Sequence, residues 1–133
     1  SDLGSGAGFP GLILALYNKN KDFHVKLFEK SPVKRAFLKT INDKLSLKIE
    51  IVGNVYDASI NTDYVVSRAF KKLDAIIQVS REIVKKSHKL IILKGQNAQK
   101  DLEKAFKKEK YDYKLESSIT NKDSKIIIVD FKK

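Results

Sequence analysis

Three glycines at alternate positions near the start of the sequence form its clearest candidate ligand-binding loop. Asp2 is followed by Gly4, Gly6 and Gly8, and the segment then continues into a short apolar stretch. Glycine adopts positive φ without strain and lets a ligand approach the backbone closely. A loop of this kind before a helix is typical of a cofactor site at the carboxyl edge of a parallel sheet.

Two cofactors fit such a loop. Gly6, Gly8 and Gly11 satisfy the G-x-G-x-x-G pattern of dinucleotide-binding folds, which is a weak match on its own. The alternative is the acidic-x-G-x-G-x-G loop of S-adenosylmethionine-dependent methyltransferases, in which Asp2 suits the ammonium group of the cofactor and would repel a pyrophosphate. Glu29 ends the next predicted strand and can accept hydrogen bonds from the ribose hydroxyls of either cofactor. A glycine-rich turn without a ligand is the third alternative.

The elements that must position this loop follow from the hydrophobic pattern. The predicted strands are His24–Glu29, Ile49–Val52, Tyr64–Ser67, His88–Lys94, Tyr111–Ser117 and Lys125–Phe131. The predicted helices are Phe9–Asn18, Ser31–Leu45 with Ser31 as its N-cap, Phe70–Lys86 and Asn97–Lys108. This alternation predicts one α/β domain over residues 1–133, with a mostly parallel sheet covered on both faces. Because the loop around 120–124 allows only a hairpin, the last strand is expected to be antiparallel.

The composition excludes several other chemistries. The sequence has no cysteine, which excludes disulfides, thiolate metal ligands and cysteine nucleophiles, and favours a cytoplasmic setting. Its two histidines, His24 and His88, lie far apart and open predicted strands, so we expect structural roles and no metal site. The longest apolar run, from Phe9 to Tyr17, is too short to span a bilayer, and no membrane partner is expected.

The charge of the chain favours a polyanionic partner. There are 27 Lys and Arg residues against 16 Asp and Glu residues, a formal net charge of +11. Nucleic acid is the usual partner of so basic a domain. A lysine-rich genome would produce the same bias, however, and this alternative stays open on the composition alone.

Several segments together resemble one family of bacterial methyltransferases. The segments that carry the resemblance are Asp2–Gly11 with its Phe-Pro-Gly ending, Glu29–Ser31 with the following Lys34-Arg35 and Phe37-Leu38, Val65–Phe70, and Leu93–Gln96. The chain resembles, over essentially its whole length, the RsmG family, also called glucose-inhibited division protein B, which methylates guanine N7 in 16S ribosomal RNA. The resemblance implies a Rossmann-like class I fold, S-adenosyl-L-methionine as cofactor, 16S ribosomal RNA or the small ribosomal subunit as partner, and a monomer when complete.

The resemblance also implies particular cofactor contacts. They fall on Gly4, Phe9, Val55, Tyr56 and Arg68, in addition to the loop and strand-end residues already named, Asp2, Gly6 and Glu29. The chain departs from the family pattern beside Val55, where members usually have an acid in place of Tyr56 and an arginine in place of Asn54. Tyr56 could stack on the adenine instead, or Asp57 could substitute for the acid.

The expected chemistry needs no general base, because guanine N7 carries an exposed lone pair and no proton. We expect the enzyme mainly to align nucleophile, methyl group and sulfur. Arg68, after the predicted strand 64–67, is the candidate catalytic residue, and its guanidinium is expected to meet guanine O6, a phosphate or the cofactor. Lys34, Arg35 and Lys94 are expected to contact RNA phosphates.

The start of the sequence indicates an N-terminal truncation. The chain has no methionine and opens directly on the loop motif. By resemblance, N-terminal helices and a first strand are missing, and that strand is expected between the strands ending at Glu29 and Ser67. An inactive remnant that retains cofactor or RNA affinity is the alternative function, and a dinucleotide-dependent oxidoreductase is a more distant one.

Overall fold

A computed structural model describes residues 1–68, 70–107 and 110–133. These residues form two compact units, 1–58 and 59–133, each built from alternating strands and helices. The α/β class predicted from the sequence is therefore confirmed.

The first unit is a small parallel sheet with two helices. Its elements are β1 (Asp2–Leu3), α1 (Gly11–Tyr17), β2 (Lys26–Phe28), α2 (Pro32–Leu45), β3 (Glu50–Val52) and a 3₁₀ helix (Val55–Asp57). Strand β2 pairs in parallel with β1 on one side and with β3 on the other, so that Leu27 lies opposite both Asp2 and Ile51. Because the three strands run in parallel, the loops that follow them gather at one edge.

Apolar side chains hold the helices of this unit to its strands. Leu12 of α1, Leu27 of β2, Leu38 of α2 and Ile49 form one buried cluster. Helix α2 begins where the sequence predicts, because the hydroxyl of Ser31 accepts a hydrogen bond from the backbone of the first turn. Each leucine fully removed from water contributes about 1.5–3 kcal/mol, so this cluster contributes substantially to the stability of the unit.

The second unit combines a parallel pair with an antiparallel hairpin. Its elements are β4 (Tyr64–Ser67), α3 (Leu73–Ile83), β5 (His88–Lys94), α4 (Ala98–Ala105), β6 (Asp112–Ser117) and β7 (Lys125–Phe131). The strand order is β4-β5-β7-β6; β4 and β5 are parallel, whereas β7 is antiparallel to both of its neighbours. The predicted antiparallel last strand is confirmed, and its pairing with β5 runs from His88↔Phe131 to Lys94↔Lys125.

His88 is a buried structural residue of the second unit. Its Nδ1 lies 2.9 Å from the carbonyl oxygen of Lys86, which can only accept, so Nδ1 carries the proton. The other ring nitrogen, Nε2, therefore accepts from the hydroxyl of Ser80 at 2.8 Å. The ring also packs against Phe131, with centroids 4.8 Å apart. Burial, assisted by the positive charge of Lys133, lowers the pKa of His88, although the contact with the Lys86 carbonyl opposes this shift.

Some predicted boundaries are wrong. Residues 2–3, assigned to the loop, form strand β1, because both side chains are buried and their backbone pairs with β2. The first strand is thus represented by two residues rather than missing altogether. His24 is exposed and precedes β2, so it does not open a strand.

The two helices predicted for the second unit are longer than the observed ones. Helix α3 starts at Leu73, since Lys72 has an extended backbone, and ends at Ile83, since Val84 forms a β-bridge with Ile60. Helix α4 ends at Ala105, and the predicted extension to Lys108 reaches a position outside the described residues.

Candidate functional site

The glycine loop leaves β1 and is fixed to the end of β2. The backbone N–H groups of Gly4 and Ser5 both donate to the carbonyl oxygen of Phe28, at 2.9 and 3.0 Å. Gly4, Gly6 and Gly8 have φ values of 71°, 58° and 99°. All three lie in the left-handed region, which side-chain-bearing residues rarely adopt, so the loop requires glycine at each alternate position.

The glycines of this segment have different structural roles. A Cβ atom on Gly8 would come within 2.7 Å of Leu12, and one on Gly11 would come within 2.7 Å of the Asp2 carboxylate. These two glycines permit close packing of the loop and α1. At Gly6 the nearest atom to an added Cβ is a backbone oxygen 4.0 Å away. Gly6 therefore borders open space, which is what a ligand-binding glycine requires.

Glu29 connects the glycine loop to the connection between β2 and α2. It is 8% exposed; its Oε2 accepts from the N–H of Gly6 at 2.7 Å, and its Oε1 accepts from the N–H of Ser31 at 2.9 Å. A carboxylate has about four acceptor positions, so these two contacts leave room for ribose hydroxyls. Glu29 is thus held in place at the strand end where the sequence predicts a ribose acceptor.

The side chain of Asp2, a residue of β1, reaches the start of α1. Asp2 is 1% exposed, and Oδ2 accepts a hydrogen bond from the backbone N–H of Gly11 at 2.9 Å. A carboxylate at this position satisfies one of the N–H groups that a helix leaves without an intrahelical acceptor. Asp2 therefore orders the loop and helix, and its contact with a cofactor ammonium group stays a prediction.

The segment after β3 borders the same edge as Glu29, whose N–H donates to the carbonyl oxygen of Val52 at 3.0 Å. Asn54 caps the short 3₁₀ helix by accepting a hydrogen bond from the N–H of Tyr56 at 3.3 Å. Val55 is buried, whereas the side chain of Tyr56 is 52% exposed. Asn54, where the family pattern has arginine, thus has a local structural role.

Arg35 does not point outward as a phosphate-binding residue would. Its Nη1 donates to the carbonyl oxygens of Glu29 and Lys30, at 3.0 and 2.7 Å. Its neighbour Lys34 is exposed and uses its backbone N–H to contact the N-cap, Ser31. Lys34 is exposed, whereas Arg35 is partly buried, and the RNA contact predicted for each of them stays a prediction.

The two candidate residues of the second unit differ in their surroundings. Arg68 follows β4 and is exposed. Lys94, the last residue of β5, forms an ion pair with Asp101 in the first turn of α4, with 2.7 Å between Nζ and Oδ2. Their side chains are only 23% and 32% exposed, so Lys94 fastens the strand to the helix and would have to exchange this partner to meet RNA.

None of the helices in the described part of the chain combines the length and the apolar character needed to cross a membrane. Among the same residues, no group of three or more His, Cys, Asp or Glu side chains could hold a metal ion.

The fold is that of Rossmann-like S-adenosylmethionine-dependent methyltransferases. The chain is similar to the crystal structure of M. jannaschii TYW2 in complex with AdoMet, with a TM-score of 0.64 and 20% identity over 97% of this chain and 65% of that one. An α/β fold in which a glycine loop follows the first strand and an acid ends the second is characteristic of this class.

The particular family is shown by the sequence comparisons. The profile of the GidB family, rRNA small subunit methyltransferase G, matches residues 1–128. The ribosomal RNA small subunit methyltransferase G of Pelagibacter ubique is 33% identical over 128 residues, which are 93% of this chain and 60% of that protein. The ribosomal RNA small subunit methyltransferase G 1 of Bdellovibrio bacteriovorus is 37% identical over 111 residues, which are 84% of this chain and 53% of that protein. The chain belongs to this family, and it spans little more than half the length of these relatives.

Proposed function

We propose that this chain is the cofactor-binding and catalytic part of an enzyme that transfers a methyl group from S-adenosyl-L-methionine to N7 of a guanine in 16S ribosomal RNA. The observation that carries the proposal is the position of Glu29, which is fixed at the end of β2 by the glycine loop and retains acceptor capacity. Family membership supplies the substrate class. Both units, residues 1–58 and 59–133, are proposed to act as one methyltransferase domain in the cytoplasm.

The residues at the edge of the first unit fit this cofactor. Open space beside Gly6 suits close approach of a ligand to the backbone, and Glu29 offers oxygen acceptors to ribose hydroxyls. Val55 and Tyr56 would border the adenine, and the half-exposed ring of Phe9 adds an apolar surface. When bound, S-adenosyl-L-methionine supplies a sulfonium-activated methyl group.

The substrate supplies the nucleophile, so this chain has mainly to orient it. Guanine N7 attacks with a lone pair and releases no proton, and therefore no residue is assigned as a general base. Correct alignment of two reactants is worth up to about 7–11 kcal/mol. Arg68, exposed at the carboxyl end of β4, is proposed to hold guanine O6 or a nearby phosphate, because donation to N7 itself would block the nucleophile.

The RNA-binding surface is proposed to include Lys34 and, after release from Asp101, Lys94. Lys34 is exposed on the first turn of α2. The net charge of +11 favours association with a polyanion. Affinity for 16S RNA fragments should fall steeply with salt, because neutralised phosphates release their counterions. If RNA affinity does not change with salt, the high lysine content reflects the composition of the genome and not a phosphate-binding surface.

Calorimetric titration of the full-length protein tests the cofactor assignment. S-adenosylhomocysteine should bind, and NAD should bind far more weakly. Gly6→Val should abolish binding, because its side chain enters the space that the ligand needs. Gly6→Ala is the matched control, since it shares the strain of a positive φ but adds only one carbon. Tight binding of NAD in place of S-adenosylhomocysteine would overturn the proposal.

A further inference from the structure

We infer that Arg35 is a positioning residue that acts through Glu29: by holding the backbone after β2, it aims the Glu29 carboxylate at the cofactor ribose. The inference rests on the proposed function. It assigns to Arg35 a role in cofactor binding, in contrast to the RNA contact that its sequence position predicts.

The contacts of the guanidinium carry the inference. Arg35 lies in the first turn of α2, and its side chain turns back to the connection from which the helix begins. Nη1 donates to the carbonyl oxygens of two successive residues, Glu29 and Lys30, at 3.0 and 2.7 Å. Hydrogen bonds from a charged donor are roughly twice as strong as neutral ones. One side chain thus restrains two consecutive peptide groups.

These carbonyls lie where the strand ladder stops. Strand β2 ends at Phe28, and the last regular contact of this segment is the hydrogen bond from the N–H of Glu29 to the carbonyl of Val52, at 3.0 Å. Among the described residues, no backbone hydrogen bond from a neighbouring strand follows that point. Arg35 supplies the donor that the ladder no longer provides, and so it determines the backbone conformation from which the Glu29 side chain projects.

The choice of acceptor matters for the chemistry. The guanidinium contacts the carbonyl oxygens of the connection, whereas the Glu29 carboxylate accepts from the N–H groups of Gly6 and Ser31. An arginine paired directly with the carboxylate would occupy the oxygens that ribose hydroxyls need. Because Arg35 holds only the backbone of this connection, the Glu29 carboxylate is oriented and can still accept hydrogen bonds from ribose hydroxyls.

The neighbourhood of Arg35 leaves room for this geometry. A Cβ atom on Gly53, which follows β3, would lie 3.7 Å from Nη1 of Arg35. The guanidinium thus lies close to the side of Gly53 from which a side chain would project, and glycine at this position leaves the space beside it open.

A double-mutant cycle in the full-length protein tests the inference. S-adenosylhomocysteine affinity is measured by calorimetry for the wild type, Arg35→Ala, Glu29→Gln and the double variant. Arg35→Ala should weaken binding about tenfold, the factor that corresponds to about 1.4 kcal/mol. In the Glu29→Gln background the same change should have an effect of less than about twofold, because coupled residues are not additive.

Controls separate positioning from general damage. Lys39→Ala removes the same charge from an exposed position of the same helix and should leave cofactor affinity unchanged. Thermal unfolding establishes that each variant is folded. Should Arg35→Ala fail to fold, Arg35→Lys replaces it. Its shorter amine should cause a smaller loss that also disappears in the Glu29→Gln background.

The outcomes are distinguishable. If the wild type does not bind S-adenosylhomocysteine, the proposed function fails, and the inference fails with it. If the wild type binds but Arg35→Ala binds equally well, only the inference is overturned. Equal losses in both Glu29 backgrounds would show a general structural role. A loss of RNA affinity in a filter-binding assay, with cofactor affinity intact, would return Arg35 to the RNA surface.

Discussion

Different interactions stabilise the two units. In the first, the strands have two or three residues each, and carboxylates and a guanidinium hold the irregular backbone between them. In the second, β5 and β7 pair over seven residues, and α3 buries six side chains. The candidate ribose-binding edge thus lies where polar side chains fix the backbone, whereas the second unit relies on apolar packing and a long strand ladder. We expect substitutions at the ribose-binding edge of the first unit to affect ligand binding, and substitutions in the apolar core of the second unit to affect stability.

The largest loss of stability is expected in the second unit. Leu90 of β5 is 0% exposed, and Leu90→Ala should lower the free energy of unfolding by about 2–5 kcal/mol through loss of contacts and a residual cavity. Urea denaturation of the full-length protein measures this change. S-adenosylhomocysteine affinity of the fraction that remains folded should be close to that of the wild type. A selective loss of cofactor affinity would contradict the expectation that the core of the second unit affects stability and not ligand binding.

A smaller loss, accompanied by a loss of binding, is expected at Asp2. Asp2→Ala leaves the N–H of Gly11 without its side-chain acceptor, and an unsatisfied buried group costs about 1–3 kcal/mol. The glycine loop should loosen as well, so affinity for S-adenosylhomocysteine should fall together with stability. Asp2→Asn retains an acceptor oxygen and serves as the matched variant. Equal effects of the two substitutions would show that the charge, and not the hydrogen bond, is what matters.

A pH-dependent effect is expected from His88. Its folded-state pKa lies below the ordinary value of 6.5, so the unfolded chain takes up a proton more readily as the pH falls through that value. Stability from this residue is therefore complete above pH 6.5 and decreases below it. Urea midpoints at pH 7.5 and 5.5 measure the decrease. His88→Asn should flatten this part of the profile, and an unchanged slope would assign the pH dependence to other groups.

The smallest effect is expected at the ion pair between Lys26 and Glu50, which lie opposite each other on β2 and β3. Their side chains are 37% and 62% exposed, and pairs of this kind contribute about 0.2–1 kcal/mol. Glu50→Gln should therefore reduce stability only slightly, and less at high salt. Cofactor affinity should not change, because the pair lies at the opposite end of β2 from Glu29. A loss of binding would show that the strands transmit such changes to the site.

The sequence predicts the strands of the second unit better than those of the first, because a longer apolar pattern reveals a strand. The predicted limits of β4, β5 and β7 agree with the structure, since most residues of each strand are buried or partly buried. Strand β1 was missed because two residues are too few to show a pattern. Its existence depends on pairing with β2, which is a tertiary contact.

In the candidate site, too, features that depend on tertiary contacts could not be predicted from the sequence. The position of Glu29 could be predicted, because an acid at a strand end is visible in the sequence. The role of Arg35 could not, since a cation in the first turn of a helix looks like a solvated or phosphate-binding residue. Its contacts with Glu29 and Lys30 depend on how the chain turns between β2 and α2. The periodic patterns of apolar residues that reveal strands and helices carry no information about such a turn.

The place of β7 between β5 and β6 has a consequence for synthesis on the ribosome. Chains are made from the N-terminus, so β5 and β6 emerge before residues 125–131, the strand that pairs with both. Until then β5 lacks the strand that pairs with this edge, and the unpaired N–H and C=O groups of such an edge invite pairing with other chains. The second unit therefore completes its sheet only after residues 125–131 have emerged and inserted between β5 and β6.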